Sequence, residues 1–529
     1  MKRTNKKPHY VSFFAGFLLV IFASCDYSYL EIEKLPDFHY GPVFAVPLAN
    51  ASLGLAELVP DSKEGLIRTG NDKLLSLVYK NSLFSATGQM LFPLPNQQHP
   101  ANFTASPIGQ NPTAPITRTF SFITGNNDRL DSLTFLTGDF FVAISVPNLA
   151  ANGYQAMVTL SIPGSYNSQG QGFTMQVPAN GNARASLQGF TIPFYSSGST
   201  HNLFDVRFIV TFSGAGTPTN APYTFNINHN FSGLSLKKMF GVLAQRTLFL
   251  GGMDTDLGIF SSSFGGNISF EDPRVRFIAI NSFGIPVLLT ANTLRFSNAT
   301  NQVSLTGFPS PWAISAPAIN QFGQHTTTSL VLTRQNSNVH LAAAISPVNL
   351  HSSFTTTLNQ GGSSKSFVAD NSRLELEVEL ELPLWGSAND FILKETMNIG
   401  KNDSITEIEW IELRIELVNH FAVALNLQVE FADMNMVVQS KLWDNVADFN
   451  LMDAAQVDAQ GNVTAPRSKI TNVMLNQQQT LAFLNSENLI ITARLKTPNS
   501  GQTHVKFFSD QKLDVRIGAR LKGKKIIGF

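Results

Sequence analysis

Cys25 is the only cysteine among 529 residues, so its thiol is the one soft nucleophile the chain possesses. A thiol can be acylated, oxidised or used in covalent catalysis, and the last needs a histidine base held beside it. Glu375, Glu377, Glu379 and Glu381 alternate with Leu374, Leu376, Val378, Leu380 and Leu382. On a strand such glutamates stand ~6–7 Å apart on one face, within range of an acid/base pair. A regular row of like charges reads better as facing water or cations, with the Glu412, Arg414 and Glu416 strand as its natural partner. Asp254-Thr255-Asp256, beside Gly251-Gly252, could offer carboxylates to Ca²⁺ from a flexible loop. A plain polar turn is the preferred reading there, and also for Asn126, Asn127, Asp128 and Asp131. The ten histidines are scattered, with none at the i, i+4 spacing of a helical zinc site and no HExxH. GxSxG, P-loop and dinucleotide fingerprints are lacking. The expectation is a non-enzymatic protein with no cofactor and no metal beyond the Asp254/Asp256 candidate.

What surrounds Cys25 gives it a role. Lys2, Arg3, Lys6 and Lys7 precede an apolar run from Val11 to Ala23 that is short for a bilayer. Charged start, short apolar middle and small residues at the cut read as a signal peptide over residues 1–24. Phe22-Ala23-Ser24-Cys25 resembles the bacterial lipobox, with Phe22 where Leu is usual. That resemblance implies a palmitate-type acyl anchor on Cys25, a membrane as partner, and no cysteine catalysis. The alternative is an ordinary signal followed by a chance cysteine. Asp131-Ser132-Leu133 and Asp403-Ser404-Ile405 resemble the O-glycosylation acceptor triplet of exported Bacteroidota proteins, which implies that Ser132 and Ser404 lie on exposed loops.

Lys+Arg and Asp+Glu number 37 each, and charged residues make up only 14% of the chain. No basic footprint for nucleic acid results. Phe is abundant at 42, which favours pleated, half-buried surfaces. Residues 25–60 read as anchor and tether, with a short helix from Ser52 to Val59 stopped by Pro60. Residues 93–117, rich in Pro, Asn, Gln and Thr, read as a long loop.

Elsewhere the dominant period is two, and the fold class is all-β. Ile408 and Trp410 are apolar on even numbers, whereas Ile411, Leu413, Ile415 and Leu417 are apolar on odd ones. That parity switch predicts a β-bulge at Trp410–Ile411. The next strand, Phe421 to Phe431, follows across a hairpin or sheet-changing turn. Strand–Asn–strand units at Asn148, Asn281 and Asn419 recur at near-domain spacing. They predict three tandem immunoglobulin-like or fibronectin-like β-sandwiches with separate cores, over 61–235, 236–370 and 371–529. Phe270-Glu271-Asp272-Pro273 through Asn281-Ser282-Phe283-Gly284-Ile285-Pro286-Val287 resembles the signature of water-stress, late-embryogenesis-type β-sandwiches. The lipobox, Ala45 to Leu53 and Phe507 to Ala519 resemble Bacteroidota outer-membrane lipoproteins, which carry over no catalytic residues. The closing strand, Leu513 to Leu521, and the terminal Phe529 resemble the end of an outer-membrane barrel, but a packed strand is the stronger reading. Three functions stay open: a binding or structural module at the envelope, a carrier of lipid or another apolar ligand in a β groove, and a surface glycan-binding protein. Partners would be the membrane, envelope proteins, lipid or glycan. The place is the outer membrane, facing periplasm or cell surface.

Overall fold

The computed structural model describes residues 38–40, 43–54, 67–216, 222–257, 264–362, 364–398, 408–443, 449–523 and 525–527. Residues 1–24, Cys25 and Ser404 lie outside the described residues. In chain order, four strands come first: β1 (Phe38–Tyr40), β2 (Val43–Leu53), β3 (Ile67–Thr69) and β4 (Leu75–Thr87). A complete sandwich follows from β5 (Gln97–Ala105), β6 (Ile116–Ser121), β7 (Arg129–Ser145), β8 (Gln155–Ile162), β9 (Phe173–Pro178), β10 (Gly181–Ser186), β11 (Thr200–Ser213) and β12 (Tyr223–Val242). The middle of the chain supplies β13 (Arg246–Asp256), β14 (Phe264–Phe270), β15 (Arg274–Asn281), β16 (Val287–Ser297), β17 (Thr326–Leu332), β18 (Asn349–Leu358), β19 (Lys365–Ala369) and β20 (Arg373–Pro383). The last part gives β21 (Trp385–Asn398), β22 (Ile408–Asn419), β23 (Ala424–Ala432), β24 (Val438–Lys441), β25 (Arg467–Leu475), helix α1 (Gln477–Asn485), β26 (Asn488–Lys496), β27 (Leu513–Gly523) and β28 (Lys525–Ile527).

The chain is all-β, and one pairing scheme is used three times. In unit 1, β7 lies between β10 and β12, with β5 beyond β12; the facing sheet runs β9–β8–β11 with β6 on β11. Unit 2 repeats this as β17–β15–β20–β4 facing β16–β18–β13, and unit 3 as β25–β22–β27–β2 facing β24–β23–β26–β21. Period-two burial produces the two-sheet layering: β15 reads half-buried and buried in strict alternation, and Val275, Phe277 and Ala279 are fully inside.

The bodies of the three sandwiches follow in tandem, but their first strands are nested. Unit 1 is continuous, whereas unit 2 takes β4 from before unit 1 and unit 3 takes β2 from earlier still. Pairing therefore crosses the expected boundaries. β20, expected to open the third unit, lies between β15 and β4 in unit 2. β12 runs through the 235/236 boundary without a break. The strand formed by β20 was correctly read, but its neighbours come from residues 75–87 and 274–281, a separation no local pattern records. Two strands stitch units together: β19 of unit 2 pairs β12, and β14 pairs β21 of unit 3. Units 1 and 2 consequently share one continuous apolar core, while unit 3 has its own around Ile411, Ile415, Phe431 and Leu475. Leu376, Val378 and Leu380 thus belong to a different core from Ile415 and its packed neighbours Leu413, Leu425, Leu427 and Val429.

Other local readings change too. Ser52 lies in β2, not at a helix start, and residues 55–59 are outside the described residues. The expected loop over 93–117 contains β5 and the start of β6. Pro100 is tolerated in β5 because β5 is an edge strand, paired among the described residues only to β12. The bulge in β22 falls one step earlier than expected, with Ile408 opposite Gly523 and Trp410 opposite Lys522. The turn after Asn419 does change sheets, since β22 and β23 lie in opposite layers.

Candidate functional site

The expected chemistry disperses. The β20 glutamates each meet a cation: Arg373 on Glu375 (3.2 Å), Lys80 on Glu377 (2.8 Å), Arg68 on Glu379 (3.2 Å) and Arg274 on Glu381 (3.8 Å). The cations come mainly from β3, β4 and β15 rather than from β22. Glu412 instead pairs with Arg520 and Arg414 with Glu416, both at 2.9 Å, within unit 3. Glu379 is itself buried, which the simple alternation did not foretell.

Asp254 and Asp256 lie on β13, a strand and not a turn. Asp254 is exposed and meets His351 Nδ1 at 2.7 Å, and the Asp256 carbonyl accepts the Tyr79 hydroxyl. Among the described residues, no three His, Cys, Asp or Glu side chains converge as a metal site would require. Ser132 sits inside β7, opposite Pro193 and Phe240, and is half-buried, so it is not on a loop. Its neighbour Asp131 is exposed and paired to Lys365 at 2.8 Å.

Asp128, read as part of a turn, is 2% exposed in its side chain and binds Arg246 through both oxygens, at 2.9 and 2.7 Å. The Ala244 N–H adds a third bond at 2.9 Å, and the guanidinium lies 4.0 Å from the Phe92 ring centre. Arg246 opens β13, so this buried pair locks unit 2 to unit 1. Its two members are 118 residues apart, and only the Asp was visible as a candidate. His229, fully buried on β12, faces His99 on β5 with ring centres 5.3 Å apart, among Phe120, Phe140 and Phe231. Burial, and secondarily His99, push the His229 imidazole down to about 3. Burial lowers His99 as well. Neither ring nitrogen of His229 has a hydrogen-bond partner.

The asparagine corners are built twice. Asn281 Nδ2 donates to the carbonyls of Ile285 (2.9 Å) and Ser315 (3.0 Å), and its Oδ1 accepts from Phe283 N–H (3.0 Å). Asn419 does the same with Val423 (2.9 Å), Asp453 (3.0 Å) and Phe421 N–H (2.8 Å), at identical sequence offsets. Each corner presents a phenylalanine to the adjoining segment: Phe283 lies 6.3 Å from Phe92 and Phe421 6.1 Å from Phe507. Gly284 is required beside the first, because a Cβ there would meet the Phe367 ring at 2.3 Å. Asn148 is different. It is exposed, at φ +62°, in the turn at the far tip of unit 1, where no further unit docks among the described residues.

Register gives unit 3 two distinct ends. One holds Asn419, Leu513 and Leu53, and there the chain passes to unit 2 through Leu384, whose N–H donates to Leu75 O (2.8 Å). The other holds Val43, Ile408 and Gly523 on one sheet and Ala432 and Asn488 on the other, with α1 bridging the two. The N-terminal side of the chain enters at this second end, beside the β1–β28 pair, and among the described residues no other unit is paired there, so it is called the free end. An open concavity of about 470 Å³ lies on the outer face of the same unit, lined by Ala45, Pro47, Glu412, Arg414, Asn472 and Arg520. Its floor is charged. Trp312 is buried, and Trp385, Trp410 and Trp443 are half-buried against Lys506, β27 and Phe449.

No protein-family model matches this chain, and no curated protein matches it. Among solved structures, a protein of Parabacteroides distasonis ATCC 8503 described as secreted is similar at 12% identity and a TM-score of 0.27, over 54% of this chain and 89% of that one. PNGase F, a glycosylasparaginase from Flavobacterium meningosepticum, aligns at 11% identity and a TM-score of 0.13, over 54% of this chain and 96% of that one. The structure of infectious bursal disease virus Gx strain aligns at 8% identity and 0.14, over 88% and 82%. At these scores the likenesses carry no argument about activity.

Proposed function

We propose that this chain is a non-enzymatic, lipid-anchored protein of the outer membrane whose stacked sandwiches hold the tip of unit 1 away from the lipid as a binding or structural module. The observation that carries this reading is the position of β2. β2 is paired along the whole of the C-terminal unit and begins, at Val43, at the end remote from units 2 and 1. An acyl chain on Cys25, about 18 residues before Val43, then sits within roughly 60 Å of unit 3 at full extension. Unit 3 is therefore next to the membrane and unit 1 outermost, the reverse of the order in which the sandwich bodies occur along the chain. The central strands run 8 to 12 residues in units 2 and 3 and 17 and 20 in unit 1, at ~3.3 Å per residue, so the stack projects on the order of 100 Å. The stitching strands and the Asp128–Arg246 lock make a stiff spacer rather than beads on a string. A lipid carrier would need a continuous apolar cavity and a glycan binder an exposed aromatic platform, whereas among the described residues the concavity on unit 3 has a charged floor and the tryptophans are buried or half-buried. Metabolic labelling with a clickable fatty acid tests the anchor: wild type should be marked and Cys25→Ala unmarked. Equal labelling of the two refutes it.

A further inference from the structure

Unit 3 carries an apolar rim at its free end. The turn from β23 to β24 exposes Met434 (69%), Met436 (51%), Val437 (55%) and Val438 (39%). At the same end, by the register above, Val43 and Phe44 of β2 are each 49% exposed. Scattered apolar residues on a surface need no explanation, but a run of them on one loop marks an interaction site.

The turn is firmly built. Asp433 Oδ1 accepts from the N–H groups of Asn435 and Val437, both at 2.9 Å. Met436 N–H donates to Asp433 O (3.0 Å), and Asp433 N–H to Val437 O (3.1 Å). Gln439 Nε2 reaches the other carboxylate oxygen (3.2 Å), and Asn488 on β26 donates to the Asp433 carbonyl (2.9 Å). Met436 is held at φ +61°, a left-handed conformation that a residue with a long side chain rarely adopts. The backbone polar groups thus turn inward on Asp433 while the apolar side chains turn outward. A loop that enters the edge of a bilayer must satisfy its own hydrogen bonds in this way, because lipid offers few partners.

We propose that this rim is a lipid-docking surface, with the 434–438 turn and the Val43–Phe44 edge seated in the headgroup and acyl boundary of the membrane. The choice of lipid as occupant rests on the anchor reading: the chain from Cys25 enters unit 3 at this end, so an acylated cysteine holds the rim against the bilayer at high effective concentration. An acyl anchor on a tether leaves the stack free to tilt, and a second apolar contact at the rim fixes its orientation.

The test uses the mature chain from residue 25 with Cys25→Ser, so that no acyl chain contributes, and vesicles of phosphatidylethanolamine and phosphatidylglycerol at about 3:1. The unacylated chain should float with the vesicles, and a Val437→Trp reporter should shift its emission to the blue. Met436→Asp combined with Val437→Asp should lower partitioning about tenfold or more. Phe249→Asp, which alters an exposed apolar residue of unit 2 (65%), should leave it unchanged. Equal partitioning of these two variants, an unmoved Trp emission, or a dimer in solution that the rim variant dissolves would each overturn the proposal. Acylation is read separately by labelling. Rim-dependent flotation of a chain that is never acylated refutes the anchor alone, and rim-independent flotation of an acylated one refutes the rim alone.

Discussion

Replacing Asn281 by alanine should remove the corner between β15 and β16. The side chain is fully buried, and its loss strands the Phe283 N–H and the Ile285 carbonyl and leaves the Ser315 carbonyl only the Thr326 hydroxyl. Each buried polar group left unpaired costs about 1–3 kcal/mol, and the space vacated lets water reach some of them. The expected loss is about 3–6 kcal/mol. Asn419→Ala should lose a similar amount, somewhat less because Val423 and its neighbour Ala424 are only half-buried. Asn148→Ala acts differently: its one liability is the left-handed backbone at φ +62°, worth about 1–2 kcal/mol. Hydrogen exchange read by mass spectrometry in denaturant resolves the three units, which a single melt of a multi-unit chain would blur. Asn281→Ala should deprotect β15, β16 and the Phe283 junction first. A cost below ~1 kcal/mol for Asn281→Ala, or equal costs at all three asparagines, would refute the reasoning.

Other expectations follow from the same geometry. Asp128→Ala leaves the Arg246 charge buried and unpaired, so it should cost about 3–5 kcal/mol and loosen unit 1 from unit 2 in limited proteolysis. His229 is held down at about 3 when folded against an ordinary 6.5. Its unfolded form therefore binds more protons below pH 6.5, and stability should fall by about 1.4 kcal/mol per pH unit from there toward pH 3, about 5 kcal/mol in all. His229→Leu should flatten that slope in urea melts. Leu380→Ala should cost ~2–5 kcal/mol; Glu379→Ala, expected to be neutral if the glutamate row faced water, should instead cost about 1–3 kcal/mol because Glu379 is buried against Arg68.

Strand identity was legible in the sequence wherever one face met a core. The parity of Leu374 to Leu382 is a local consequence of burial, and so is the bulge at the start of β22, misjudged by a single residue. The sheet change after Asn419 was likewise a local event. Partnership was not legible, because β4 and β20 are almost 300 residues apart and nothing in either names the other. A second failure came from composition: Gln97 to Ala105 looked like loop because Gln, Asn and Pro dominate it, although Phe103 and Ala105 already alternate. The spacing of Asn281 and Asn419 reported a shared corner correctly. Asn148 fell into the series by position only, since among the described residues the tip of unit 1 has no neighbouring unit for a Phe corner to grip. Asp128 was seen as a turn residue because its partner Arg246 comes from another unit. The apolar rim at Met434 to Val438 went unnoticed, being indistinguishable in sequence from a strand that continues β23.

The claim that unit 3 stands at the membrane and unit 1 at the far tip is tested most directly by energy transfer to a lipid acceptor. With Cys25 acylated, a single introduced cysteine can carry the donor, either Asn435→Cys in the rim turn or Gln110→Cys at the tip of unit 1, both exposed. On vesicles the Asn435 label should transfer strongly and the Gln110 label hardly at all, given a separation on the order of 100 Å. Strong transfer from Gln110 with weak transfer from Asn435 would contradict the nested order on which the account depends.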